Sequence, residues 1–139
     1  MQFHATLVAL IATCTGASSL PQPQKDLDDS FEKTCHGWEL QGNAWFGAWC
    51  GNGKGLTRLS VINLNHCIAN DFGTLVGRRD GDFAASCNKL SVQKDTTFSA
   101  HCDNADGWSD GNIKLSEVLS NRDGNLFCFG YNGCEELGC

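Results

Sequence analysis

Nine cysteines in a chain of 139 residues are the first chemistry this sequence offers. Cys14 falls in an apolar N-terminal stretch, and without it the count is an even 8. An even set in a small exported chain reads as a disulfide framework. Cys35 and Cys50 are 15 residues apart, and so are Cys87 and Cys102. Each pair can staple the strand after its phenylalanine to the end of the next hairpin, contributing roughly 3 kcal/mol by restricting the unfolded chain. Zinc is the competing use of clustered cysteines, but no CxxC pair exists and an oxidising compartment disfavours thiolate ligands, so no metal and no cofactor are expected. Cys67, Cys128, Cys134 and Cys139 complete the set, and spacing alone leaves their pairing open.

The remaining reactive side chains point away from catalysis. His36, His66 and His101 lie in no nucleophile–base motif. The 16 Asp and Glu residues could supply a glycosidase-like carboxylate pair, but a small disulfide-rich repeat offers little deep cleft to hold one. No enzyme is expected. A net charge of −6 without a Lys/Arg cluster argues against a nucleic-acid partner and against an anionic membrane surface.

The elements that must position these residues repeat. Phe31–Cys50 (FEKTCHGWELQGNAWFGAWC) aligns with Phe83–Cys102 (FAASCNKLSVQKDTTFSAHC), and Ile62–Leu75 (INLNHCIANDFGTL) with Ile113–Leu126 (IKLSEVLSNRDGNL). The offset is 52 in the first pair of segments and 51 in the second, so one residue is missing from the second copy. Two half-copies in fixed order, with cysteines and turn glycine in register, make a tandem repeat. In each copy an alternating strand puts Ala44, Phe46, Ala48 and Cys50, or Phe98, Ala100 and Cys102, on one core face. Trp45, Gly47 and Trp49, or Thr97, Ser99 and His101, take the other. Turn-rich loops follow at Gly51–Gly55 and Asp103–Gly107, then a strand, then one short helical turn within Asn63–Ala69 or Lys114–Ser120. Asn-x-x-Gly (Asn70–Gly73, Asn121–Gly124) turns the chain into a closing strand, and Val76–Asp82 joins the copies.

At the N-terminus, Ala5–Thr13 is apolar, too short to cross a bilayer, and followed by small residues through Ser19. Residues 1–19 are therefore read as a secretory signal, 20–30 as a flexible lead-in, 31–128 as one domain (repeats 31–77 and 83–128), and 129–139 as a cysteine-containing tail. The mature protein is expected to be secreted and extracellular, without membrane insertion.

The ordered duplication over Phe31–Cys128 resembles the cyanovirin-N homology family, in the form secreted by filamentous fungi. That resemblance implies an all-β, pseudosymmetric two-lobed fold from a tandem repeat, with strands exchanged between repeats and disulfides stabilising it. Each lobe takes a three-stranded sheet from one copy and its closing hairpin from the other. It also implies a Cys67–Cys128 bond across the repeats, since their counterparts are Val118 and Gly77; Cys134 and Cys139 are then left to close the tail. Because the lobes already share strands, the same contacts can form between two chains. The expectation is a monomer prone to a domain-swapped dimer at Val76–Asp82.

Members of that family are lectins, so the resemblance implies binding of mannose-type glycans or glycoproteins through a shallow polar site in each lobe, without catalysis. Carried over by position, the first-lobe site comprises Asp29, Ser30, Lys33, Thr34, the loop Gly51, Asn52 and Gly53, and Asn121, Arg122 and Asp123. The second comprises Asn70, Asp71, Gly81, Asp82 and Ser86, with the loop Asp103, Asn104, Ala105 and Asp106. Ala85 and Phe72 stand where carboxylates are expected, which makes the second site the weaker. Trp49 and Trp108 border the loops and could stack on a sugar ring, whereas Trp38 and Trp45 read as packing residues. The alternative is a secreted interaction or effector-like protein that keeps the fold and has lost sugar binding.

Overall fold

The structure, a computed structural model, describes residues 30–135. The signal and most of the lead-in, Asp29 and Cys139 lie outside the described residues. In repeat one, a 3-10 turn (Phe31–Lys33) leads into strands β1 (Cys35–Leu40), β2 (Trp45–Gly51) and β3 (Thr57–Asn63). A second 3-10 turn (Leu64–His66) then opens the hairpin β4 (Ile68–Asp71) and β5 (Thr74–Gly77). Repeat two follows the same order. After the turn Phe83–Ala85 come β6 (Cys87–Val92), β7 (Thr97–Asp103) and β8 (Trp108–Lys114). After the turn Leu115–Glu117 come β9 (Ser120–Arg122) and β10 (Asn125–Cys128), with a short β11 (Tyr131–Asn132) added. The sheets run β1-β2-β3 and β6-β7-β8, both antiparallel.

The backbone repeats more faithfully than the side chains. A register shift between His36 and Glu39 recurs between Asn88 and Ser91. Left-handed residues recur in register: Ala44 (φ 63°) and Thr96 (67°), Gly53 (73°) and Ala105 (74°), Phe72 (51°) and Asp123 (53°). A β-branched or bulky residue in that region is unusual and costs roughly 1–2 kcal/mol. Thr96 is held there by complete burial, with its N–H donating to the Gln93 carbonyl at 3.1 Å and its hydroxyl to Glu32 Oε2 at 3.4 Å.

The alternation of β2 and β7 places the core as expected. Ala44, Phe46, Ala48, Cys50, Phe98, Ala100 and Cys102 are buried, and Trp49 on the opposite face is 46% exposed. Gly47 departs from the pattern. It is also buried, because the Gln41 amide lies where a side chain would stand. Each lobe centres on an edge-to-face phenylalanine pair, Phe31 with Phe46 at 5.7 Å and Phe83 with Phe98 at 5.3 Å.

The exchange of hairpins is present. In one lobe, β9–β10 lies on the β1–β3 sheet, where Leu126 N–H donates to Ser60 Oγ at 2.8 Å. In the other, β5 crosses so close to β8 that a side chain at Gly111 would meet the Gly73 carbonyl at 2.8 Å and Leu75 at 3.0 Å. Disulfides join Cys35–Cys50, Cys87–Cys102 and, across the repeats, Cys67–Cys128. At the symmetry-related place, a side chain on Gly77 would sit 3.4 Å from Val118 Cγ2, so the same approach exists without a bond. Cys134 is disulfide-bonded.

The chain does not leave the fold at Cys128. Strand β11 pairs with β10, and Val61 and Cys134 exchange backbone hydrogen bonds of 2.6 and 2.9 Å. The linker after β5 folds back on repeat one: Arg78, Asp80 and Asp82 N–H groups donate to Cys67, His66 and Asn65 carbonyls at 2.9–3.1 Å. There the Asp80 carboxylate accepts from the Tyr131 hydroxyl at 2.6 Å and faces His66 Nδ1 at 3.3 Å. The His66 and Tyr131 rings stack at 4.0 Å. Tyr131, with smaller contributions from His66 and Arg79, holds the Asp80 carboxyl below its ordinary range.

Candidate functional site

The strand exchange brings each set of candidate residues together from distant parts of the chain. At one lobe end, Asn121 Nδ2 donates to Thr34 Oγ1 and to the Gly51 carbonyl, both at 2.8 Å, while Asn121 Oδ1 accepts from Gly124 N–H at 2.9 Å. At the other, Asn70 Nδ2 donates to Ser86 Oγ and to the Asp103 carbonyl, both at 2.9 Å, and Asn70 Oδ1 accepts from Gly73 N–H at 2.7 Å. The two three-point clips are the same construction. Both amide protons are spent in each case, so these asparagines hold the hairpin tip against the facing sheet and leave other groups to meet a ligand.

The loops beside the clips are also internally tied. Asn52 Oδ1 accepts from Lys54 and Leu56 N–H groups at 2.8 and 3.2 Å. Asp103 Oδ1 accepts from Ala105 N–H at 2.9 Å, and Asn104 Oδ1 from Asp106 N–H at 3.0 Å. Such side-chain-to-backbone bonds fix a loop before any ligand arrives, which lowers the entropy cost of binding.

Around this frame the first-lobe residues divide. Lys33, Thr34, Gly53, Arg122 and Asp123 are exposed. Arg122 lays its guanidinium 3.7 Å over the Phe127 ring, a cation–π contact that directs it along the hairpin. Ser30 is only 6% exposed, and its hydroxyl donates to the Ser116 carbonyl at 3.4 Å. It belongs to the interior of the lobe rather than to a surface a sugar could touch. In the second lobe Asp71, Asp82, Asp103, Ala105 and Asp106 are exposed. A side chain on Gly81 would run into the backbone of Ile68 and Ala69, so this glycine serves the close approach of linker to β4.

Arg58 was not among the sequence candidates. Its Nη2 donates to the Asp123 carbonyl at 3.2 Å, its stem packs on Gly124, and its Nη1 reaches Glu135 at 3.8 Å. Its repeat counterpart, Ser109, packs on Gly73 in the same way. The signal was a polar residue at the same strand position in both copies.

The aromatic residues sort as follows. Trp38 packs edge-on to Phe31 at 5.6 Å and donates to the Gln93 carbonyl at 3.2 Å. Trp45 lines a cleft of about 60 Å³ with Asn63, His66, Tyr131 and Asn132. Trp49 (46%), Trp108 (52%) and Phe72 (76%) are the exposed aromatics nearest the two loops. Among the described residues no group of three His, Cys, Asp or Glu side chains is placed to hold a metal ion.

Two sheets, exchanged hairpins and paired polar ends define a pseudosymmetric cyanovirin-N-like protein. The chain belongs to the CVNH domain family, whose profile matches residues 31–133. The fold is shared with the CVNH protein of Gibberella zeae (26% identity, TM-score 0.64, covering 73% of this chain and 99% of that one). It is also shared with a MoCVNH3 variant solved with (N-GlcNAc)4 (19%, TM-score 0.67, 75% and 99%). A third similar structure is microvirin with mannobiose (22%, TM-score 0.61, 71% and 97%). No curated protein sequence matches the chain.

Proposed function

We propose that this is a secreted, non-catalytic carbohydrate-binding protein, with one open polar site per lobe, and that the first-lobe site takes mannose-type glycans. The observation that carries the reading is the paired clip, which presents an exposed hairpin turn beside a pre-tied polar loop at each end. Fixed amides, carbonyls and carboxylates of this kind suit vicinal sugar hydroxyls. Two structural relatives carry saccharides, (N-GlcNAc)4 in one and mannobiose in the other. Secretion is supported by the disulfide framework and by the leader-like sequence of residues 1–19.

Asp123, in the turn beside Arg58, is the first-lobe carboxylate for a mannose hydroxyl. Removing one such contact costs about 1–3 kcal/mol, so Asp123→Ala should weaken mannobiose binding by roughly 5- to 150-fold. An NMR titration reads this directly, with a glycan array on the oxidised protein as the broader screen. A blank array from a well-folded sample would favour the interaction protein that has lost sugar binding.

A further inference from the structure

The two lobe ends are built on one backbone and carry opposite charge. In the first lobe Lys54 N–H donates to Asn52 Oδ1 at 2.8 Å, and in the second Asp106 N–H donates to Asn104 Oδ1 at 3.0 Å. The lysine and the aspartate therefore stand at the same point of the same loop. On the neighbouring strand, Arg58 and its counterpart Ser109 both pack against the hairpin glycine, Gly124 in one lobe and Gly73 in the other. Asn52 and Asn104 meet the same two glycines. At the clips, the Gly51 carbonyl is matched by that of Asp103, and Lys33 beside Thr34 is matched by Ala85 beside Ser86. Lys33, Lys54, Arg58, Asp103 and Asp106 are all exposed. One end thus gathers cations where the other gathers carboxylates.

Packing does not call for an arginine at position 58. A serine fills the same place against the hairpin glycine of the second lobe. What the arginine adds is a charged fork held in a set direction. Nη2 donates to the Asp123 carbonyl at 3.2 Å, which fixes the guanidinium beside the turn. Nη1 reaches a carboxylate, that of Glu135 after β11, at 3.8 Å. That distance is too long for a hydrogen bond, and both side chains are open to water, 43% and 72% exposed. Solvent and salt therefore screen the pair, and it contributes little to the fold. Glu135 shows that an anion has access to Arg58 at this lobe end, and it holds the place weakly enough to be displaced. Two nearby charges are turned elsewhere: Arg122 lies over the Phe127 ring, and Glu32 meets Thr96 of repeat two.

We propose that the first-lobe site takes a saccharide carrying an anionic group, a phosphate ester or a carboxylate, and that Arg58 is the residue that selects it. The sugar ring lies over the Asp123 turn and the Gly51–Gly55 loop, and its anion replaces the Glu135 carboxylate. With one Nη2 proton given to the Asp123 carbonyl, the Nη1 protons remain for a phosphate or carboxylate oxygen. Such charge-assisted bonds are shorter and stronger than those to a neutral hydroxyl. Asp103 and Asp106 repel the same ligand from the second lobe. This rests on the carbohydrate-binding reading and names the ligand class of its first-lobe site.

The test is an NMR titration of the intact oxidised protein at low salt with four probes. They are plain mannobiose, mannobiose bearing a phosphate monoester, mannobiose with its terminal ring oxidised to the uronic acid, and inorganic phosphate. At least one charged disaccharide should bind the first lobe about fivefold or more tightly than the plain one, and which one does so separates phosphate from carboxylate. The advantage should shrink as salt is raised past about 0.15 M. Arg58→Gln keeps a stem against Gly124 and should bring charged and plain disaccharides to within about twofold of each other. Glu135→Gln removes the competing carboxylate and should widen the ratio. A purely structural role for Arg58 would weaken both sugars together and leave the ratio intact, which would overturn the proposal. Inorganic phosphate that shifts the same amides as strongly as the phosphorylated sugar would also overturn it, as an adventitious ion only. If plain mannobiose shifts Gly53 and Asp123 and neither charged sugar does better, this inference fails and the carbohydrate-binding reading stands. If no saccharide shifts either lobe, both fail.

Discussion

Asn70 and Asn121 each join three chain segments with one side-chain amide, and this fixes what mutation at a lobe end can mean. Asn121→Ala would leave Gly124 N–H, Thr34 Oγ1 and the Gly51 carbonyl without that partner. At about 1 kcal/mol for each lost bond, the cost is roughly 2–3 kcal/mol, and Asn70→Ala should match it because the clips are equivalent. Asp123→Ala should cost less, about 1 kcal/mol, because its carboxylate is exposed and the loss is that of a residue suited to φ 53°. Urea unfolding of the three variants separates fold-holding from ligand-contacting roles. An Asn121→Ala variant as stable as the parent would show that the clip does not hold the hairpin.

At the scale of elements, the inter-repeat linker is tied down on both sides. Its backbone returns to the turn after β3, and Asp80 meets Tyr131 of β11, which comes from the far end of the chain. Tyr131 depresses the Asp80 pKa below its ordinary 3.8. The contribution of this contact to stability is therefore fully present above that value and disappears as pH falls through the lower, folded-state value. Asp80→Asn should lower the urea midpoint at neutral pH, and the two proteins should converge as the pH is taken well below about 4. A constant gap across that range would assign the effect to something other than the Asp80 charge. None of this latch was legible in the sequence, because Tyr131 and Cys134 have no counterpart in the other copy and a repeat reveals only what it duplicates. The strand faces of β2 and β7, by contrast, could be read from alternation. Gly47 escaped because its burial comes from Gln41, a side chain on the neighbouring turn. Arg58 escaped because its partner, Asp123, reaches it only after the hairpins exchange, 65 residues along the chain.

At the scale of the whole molecule, the order of the repeat elements and the pairing of Cys35 with Cys50 and Cys87 with Cys102 followed from spacing. The exchange and the Cys67–Cys128 bond needed the family resemblance, since a fold that trades hairpins leaves no local signature. That third bond has a consequence for self-association. Cys35–Cys50 and Cys87–Cys102 each lie inside one repeat, whereas Cys67–Cys128 ties repeat one to repeat two across 61 residues. If two chains trade halves about Val76–Asp82, Cys67 of one molecule faces Cys128 of the other. The dimer then becomes a covalent ring of two chains closed by two sulfur bridges. Monomer and dimer are thus not in equilibrium once oxidised: which one forms is decided while the chain is still reduced, and dilution afterwards changes nothing. Refolding at high concentration should leave a dimer band on a non-reducing gel that collapses on adding thiol. A dimer that instead dissolves on dilution, with its disulfides intact, would mean that the halves had not been exchanged.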